Sequence, residues 1–196
     1  MMKIMVREEN ILNVPNTLSL LRLLSFPVLL VLGILGKEWL FAILISASLI
    51  TDILDGNIAR YFKLQTRFGA ALDNLADMGI YIMALFGIFK FKWAEIAPHA
   101  WLLYLFIAVL ILSYIIGFYR FKKVPGLHLY SAVTSGYLQG FFFIVLFIYG
   151  FIPWLYYLAV GLGVIAYIEK ILVLLRLDDI KSGVKGLYWL LKKEKE

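Results

Sequence analysis

Four aspartates stand close together in an otherwise apolar stretch: Asp52 and Asp55 in D-I-L-D-G-N-I-A-R, then Asp73 and Asp77 in G-A-A-L-D-N-L-A-D. The members of the first pair are three residues apart and those of the second four apart, so on helices each pair shares one face and can converge on one cationic centre. Carboxylates at membrane depth are expensive to bury, and four together would repel or protonate unless a cation offset them. Oxygen-only ligands suit hard divalent ions, Mg²⁺ or Mn²⁺. The neighbours fit a phosphate-bearing ligand. Gly56, Ala59 and Gly69 remove bulk where a base or a ligand backbone must come close, and Arg60 offers a planar fork for phosphate oxygens.

The rest of the chain supplies the setting. Of its 196 residues 63% are hydrophobic and 16% charged, well below the roughly 25% charged of soluble domains, and the mean hydropathy is +0.89. An all-α integral membrane protein is expected. With no cysteine, disulfides, thiolate zinc sites and cysteine nucleophiles are excluded.

Windows of about 20 apolar residues place six transmembrane helices, at Thr17–Gly36, Trp39–Phe62, Gly69–Phe91, Ile96–Tyr119, Tyr130–Tyr149 and Pro153–Leu175. The first is read as a retained span, because Arg22 interrupts it and Lys37-Glu38 follows with no small-residue cleavage site. Gly36-Lys37-Glu38 and Gly150-Phe151-Ile152 read as tight turns. A single domain over residues 1–196 is expected: an interfacial N-terminal flank (1–13), six spans within 17–175, and a basic amphipathic tail (177–196). In that tail Ile180, Val184, Leu187, Leu190 and Leu191 recur at helical spacing among lysines.

With both termini cytoplasmic, fifteen of the 19 lysines and arginines fall on the inner side, and only Lys37, Lys90 and Lys92 on the outer. That bias sets the orientation. The net charge of +6 then reads as anchoring to an anionic leaflet and not as nucleic-acid binding. Asp52 lies eight residues from Arg60 and Asp77 eight from Gly69, about 12 Å in each case along a helix. Both pairs therefore reach one level, in a polar cavity open to the cytoplasm.

Pairing with Arg60, Arg67 or a neighbouring helix does not explain four acids, since two nearby bases leave an excess of negative charge. Arg22 reads equally as an ion-pair partner of the site, an interfacial side chain or a substrate contact. His99 and His128 read as structural, and Phe141, Phe142 and Phe143 as lipid-facing or packing surface.

Asp52-x-x-Asp55-Gly56-x-x-Ala59-Arg60, eight residues, then Gly69-x-x-x-Asp73-x-x-x-Asp77 resembles the full motif of the CDP-alcohol phosphotransferases, membrane enzymes of phospholipid head-group synthesis. All eight positions agree, and Asn13-Val14-Pro15-Asn16 opening the first helix extends the likeness. The resemblance implies that Asp52, Asp55 and Asp73 hold divalent metal, two ions being expected, and that Asp77 completes the cluster and acts as general base. It further implies that Gly56, Ala59 and Gly69 line the cytidine nucleotide, with Arg60 and Thr66 at its phosphates. A phosphatidyl or archaetidyl group would pass from CDP-diacylglycerol or an archaeal CDP-lipid to the hydroxyl of a small acceptor, with release of CMP. The family commonly forms homodimers.

For the acceptor, glycerol 3-phosphate ranks first, ahead of inositol phosphate, serine or another alcohol. Leu72-Asp73-Asn74-Leu75-Ala76-Asp77 is similar to the glycerophosphate-accepting group, although Thr134-Ser135-Gly136-Tyr137-Leu138-Gln139 stands where that group usually carries a lysine. Met78-Gly79-Ile80-Tyr81 replaces the Ser-Phe-Gly continuation of the serine-accepting enzymes. Arg120, Lys122 and Lys123, with His128, form a basic loop suited to a phosphorylated acceptor or to anchoring. Two other classes are alternatives: an intramembrane prenyltransferase, which also uses aspartates and Mg²⁺ to hold a diphosphate but carries its acid motifs in separated loops and would release pyrophosphate, and a cation transporter, which places carboxylates between helices and would show ion flux without CMP.

Overall fold

Asn13 opens the first helix by accepting a hydrogen bond from the Asn16 backbone N–H at 2.9 Å, and Pro15 occupies the first turn, where a missing donor costs nothing. The computed structural model describes residues 13–61, 66–122, 127, 129–177 and 184–193, and their side chains except at positions 53, 55–60, 67, 70, 74 and 193. The expected N-terminal interfacial flank, apart from Asn13, lies outside the described residues, as do Lys123, His128 and much of the tail.

Every long element among the described residues is a helix. These are α1 (Val14–Ile34), α2 (Glu38–Tyr61), α3 (Arg67–Gly87), the short α4 (Trp93–Ile96), α5 (Ala100–Phe121), α6 (Tyr130–Ile148), α7 (Pro153–Arg176) and α8 (Leu187–Lys193). A π turn at Ile88–Lys92 and a 3₁₀ turn at Ala97–His99 flank α4. The six long helices lie where the apolar windows were placed. By length and composition, Val14–Ile34, Ala71–Phe121, Tyr130–Ile148 and Pro153–Arg176 can each cross a membrane. The 51 residues of Ala71–Phe121 are more than twice the roughly 20 that one crossing needs. α2 is as long as a span but carries Glu38, Asp52, Asp55 and Arg60.

On α1 the polarity is inverted relative to a helix of a water-soluble protein. α1 buries Asn16, Ser19, Arg22 and Ser25, a stripe at every third position, and exposes Leu20, Leu21, Leu24, Val28 and Val31. Apolar side chains outward and polar ones inward are what lipid as solvent selects. The chain is a multi-pass membrane protein.

The chain divides into two compact units, Met1–Trp93 and Ala94–Glu196. In the first, α1 packs on both α2 and α3, over a core that includes Leu29, Phe41, Ile45, Ala76, Ile80 and Ala84. Two glycines set the α1–α3 approach. The Phe86 ring of α3 fills the space a Cβ at Gly33 would take, and the Phe26 ring of α1 does the same at Gly79, so small residues let the backbones close together. Gly36 leaves α1 at φ +67°, where Lys37 N–H returns to Leu32 O at 2.9 Å, the left-handed exit that only glycine adopts freely. Glu38 at the start of α2 pairs with Lys92 at 2.8 Å.

In the second unit α7 packs against α5 and α6. Its N-terminal end holds an aromatic group: His99 Nδ1 lies 2.7 Å from Tyr157 Oη, the His99 ring stacks on Phe151, and Tyr156 Oη donates to His99 O at 2.9 Å. The structural reading of His99 fits these contacts. Phe142 and Phe143 are buried and Phe141 is exposed. Near the C-terminus, Val184, Leu187 and Leu190 pack on Leu127, Leu129, Val173, Leu174 and Leu177. The Glu169 carboxylate accepts from Ser131 Oγ and, at 2.8 Å, from Leu187 N–H at the start of α8.

Candidate functional site

α2 carries Asp52, α3 carries Asp73 and Asp77, and α1 brings Ser19 and Arg22 against them. One carboxylate oxygen from each of the three aspartates lies within 4.8 Å of those of the other two. The i, i+4 spacing places Asp73 and Asp77 on one face of α3. Ala76 and Ile80 are buried in the core, which fixes the helix rotation. The convergence read from spacing is therefore seen for Asp52, Asp73 and Asp77. Asp55, Gly56, Ala59 and Arg60 continue the same helix, and their side chains lie outside the described residues.

Arg22 stands among the acids. Its Nη1 donates to Asp52 Oδ1 and, at 2.9 Å, to Asp77 Oδ1, and stands 3.5 Å from Asp73 Oδ1. The Arg22 side chain has no exposed surface, whereas the three aspartates keep 36–41% of theirs. The cluster is thus closed on the arginine side and open on the carboxylate side. Ser19 Oγ donates to Asp73 Oδ1 at 3.4 Å as well as to Pro15 O at 3.2 Å. Ser19 is a site-adjacent residue that sequence reasoning does not single out, Asn16 enters there only as part of the segment that opens the first helix, and Arg22 has three readings open. The signal for all three was the polar stripe on an apolar helix, which must face a polar interior.

Thr66 and Gly69 meet one turn below. Thr66 caps α3, its Oγ1 accepting from Gly69 N–H at 2.9 Å, and Asn16 Nδ2 donates to the same oxygen at 3.3 Å. A Cβ at Gly69 would run into Asn16 Oδ1 and Thr66 Oγ1. The glycine thus has a packing reason here, and Thr66 has a capping one.

Arg120 and Lys122 of the basic segment have local partners. Arg120 Nη1 donates to Leu175 O at 2.6 Å, near the end of α7, where helix carbonyls lack intrahelical donors. Lys122 closes α5 in a left-handed conformation, φ 54°, with its ammonium 5.0 Å from the Tyr119 ring centroid. These residues belong to the Ala94–Glu196 unit and the aspartates to the Met1–Trp93 unit.

The donor set suits a hard divalent cation. Ligand oxygens at about 2.1 Å from Mg²⁺ stand at most about 4.2 Å apart across the ion. Three carboxylate oxygens within 4.8 Å of one another need to move only slightly to meet that geometry.

Known proteins resemble this arrangement in sequence. Three relatives bear the name CDP-diacylglycerol–glycerol-3-phosphate 3-phosphatidyltransferase. That of Cereibacter sphaeroides is 35% identical over 77 residues, 37% of this chain and 35% of that protein. That of Sodalis glossinidius is 38% identical over 77 residues, 38% of this chain and 42% of that protein. That of Salmonella choleraesuis is 37% identical over 76 residues, 37% of this chain and 42% of that protein. The matched segment thus spans less than half of each relative. No solved structure matches the chain. The family model for CDP-alcohol phosphatidyltransferase matches residues 12–174, a stretch that contains the aspartate cluster and all six long helices but for the last two residues of α7, and the chain therefore belongs to the CDP-alcohol phosphatidyltransferase family.

Proposed function

We propose that this protein transfers a phosphatidyl or archaetidyl group from a CDP-linked lipid to the hydroxyl of a small polar acceptor, with glycerol 3-phosphate first among acceptors, and releases CMP. The observation that carries this reading is the convergence of Asp52, Asp73 and Asp77 on one point, at the spacing of the full eight-position motif. The names of the relatives support the donor and the acceptor.

When bound, Mg²⁺ or Mn²⁺ held by Asp52, Asp55, Asp73 and Asp77 would stabilise the charge that builds on the diphosphate as its bond to CMP breaks. Asp77 takes the proton of the acceptor hydroxyl as its oxygen bonds to the lipid-linked phosphorus. The P–O bond to CMP breaks with its electron pair going to CMP, so no covalent enzyme intermediate is needed. The open face of the cluster supports this role, because Asp77 retains 41% of its side-chain surface. Gly56, Ala59 and Gly69 would admit the cytidine, and Arg60 and Thr66 would meet its phosphates. Arg120, Lys122 and Lys123 are the proposed contacts of a phosphorylated acceptor, and a homodimer is the proposed assembly.

The test is CMP release by the purified full chain given CDP-diacylglycerol and, in turn, glycerol 3-phosphate, inositol phosphate and serine. CMP release that requires glycerol 3-phosphate is expected. Pyrophosphate release, or ion flux without CMP, overturns the class, and a preference for serine overturns the acceptor.

For topology, the proposal counts α2 and both halves of Ala71–Phe121 as spans, giving six, with termini and site cytoplasmic. Single cysteines placed in this cysteine-free chain at Lys37 and Lys90, both exposed, are expected to react with an impermeant label only from the outer side, and one at Lys122 only from the inner. The reverse pattern rejects this orientation.

A further inference from the structure

Arg22 already supplies a positive charge to the aspartate cluster. Its guanidinium touches Asp52 and Asp77 and stands 3.5 Å from Asp73, entirely buried, on the side away from the opening. Its place is fixed from α1. Ser25 Oγ donates to Arg22 O at 2.6 Å, Leu29 is buried two turns on, and the Gly33–Phe86 contact holds α1 close to α3. The four aspartates carry formal charges summing to −4 and Arg22 returns +1, which leaves −3 for a divalent ion to offset. A guanidinium suits this task because it stays charged, forks several donors and has no lone pair with which to ligate a metal.

We propose that Arg22 is the resident counter-cation of the site: it holds the carboxylates together when no divalent ion is bound, and it weakens the affinity for that ion by like-charge repulsion. Arg22 is thus a positioning residue that sets how much metal the site requires. The proposal rests on the reading of the aspartates as a metal site. It makes one demand that an arginine serving only to pack the helices would not meet. Neutralising Arg22 must lower the stability of the metal-free protein while raising the affinity for metal, whereas loss of a mere packing residue lowers both.

The experiment compares the full-length protein with its Arg22→Gln variant, by thermal unfolding in EDTA and in Mn²⁺ and by titration of free Mn²⁺ with electron paramagnetic resonance. Arg22→Gln is expected to melt below the unchanged protein in EDTA and to gain more from Mn²⁺. Its Mn²⁺ Kd is expected to fall about tenfold, a change of about 1.4 kcal/mol, while Arg22→Lys stays within about threefold of the unchanged protein. Equal or weaker Mn²⁺ binding by Arg22→Gln, with Asp73→Asn still reducing binding in the Arg22 background, overturns the proposal and leaves the metal reading intact. Absence of Mn²⁺ binding in the unchanged protein overturns the metal reading itself, and the proposed repulsion with it. Should Arg22→Gln fail to fold with and without Mn²⁺, the double variant Arg22→Gln/Asp73→Asn decides. A folded double variant supports charge compensation, and an unfolded one overturns it.

Discussion

Asp77→Asn is expected to lower kcat for CMP release by about 10²–10⁴-fold, the usual worth of a general base, while leaving CDP-lipid binding within about threefold. The amide is nearly isosteric with the carboxylate, and its oxygen can still accept the Arg22 hydrogen bond that Asp77 Oδ1 accepts at 2.9 Å. What it cannot do is take a proton. Donor binding draws on the nucleotide contacts and on the other three acids, so a change confined to the proton acceptor should appear in kcat and hardly in the donor KM. The same measurement distinguishes a base from a pure ligand. Were Asp77 only a metal ligand, Asp77→Asn would raise the metal requirement and saturating metal would restore much of the rate. Appreciable turnover retained at any Mg²⁺ concentration refutes the assignment of Asp77 as the base.

The convergence of Asp52, Asp73 and Asp77 was legible because these residues signal locally. Asp73 and Asp77 need only a helix to share a face, and the helix is marked by an apolar window and by Thr66 at its start. Gly36 and Gly150, both at positive φ, mark turns that their neighbours in sequence already suggested. Arg22 was visible as an intramembrane charge, but its partners were not. They lie 30 and 55 positions away, and α1 takes the rotation that points Arg22 at them through the seating of Phe86 on Gly33 and of Phe26 on Gly79. Nothing in hydrophobic periodicity reports such a pairing of a ring with a missing Cβ on another helix. Arg120 shows the same limit. A basic residue at a helix end reads as free charge, yet its guanidinium serves a carbonyl of α7 55 positions on, a demand that arises only once α5 and α7 are packed. Thr66 and Gly69, read from resemblance as nucleotide contacts, cap and close the start of α3 against Asn16, a local role that arises only once α1 and α3 are packed.

Chelation with EDTA is expected to abolish CMP release and Mg²⁺ to restore it, and Asp73→Asn is the substitution that ties this dependence to the cluster. Of the three described acids Asp73 leans least on Arg22, standing 3.5 Å from its Nη1 while Asp52 and Asp77 accept its hydrogen bonds. Removing its charge therefore leaves the arginine anchored and the helix packing intact, with the Ser19 hydroxyl, 3.4 Å away, still able to donate to the amide oxygen. Losing a supporting partner of a metal ligand already costs about 10–100-fold in affinity, and a ligand itself should cost at least as much. Asp73→Asn is thus expected to need at least tenfold more Mg²⁺ for half-maximal activity, with a lower rate even at saturation. Asp52→Asn should show the same shift together with a lower melting temperature in EDTA, since it also takes away a carboxylate that holds Arg22. A Mg²⁺ response in Asp73→Asn that matches the unchanged protein would remove Asp73 from the metal site, and with it the reason for placing two acids of α3 opposite one of α2.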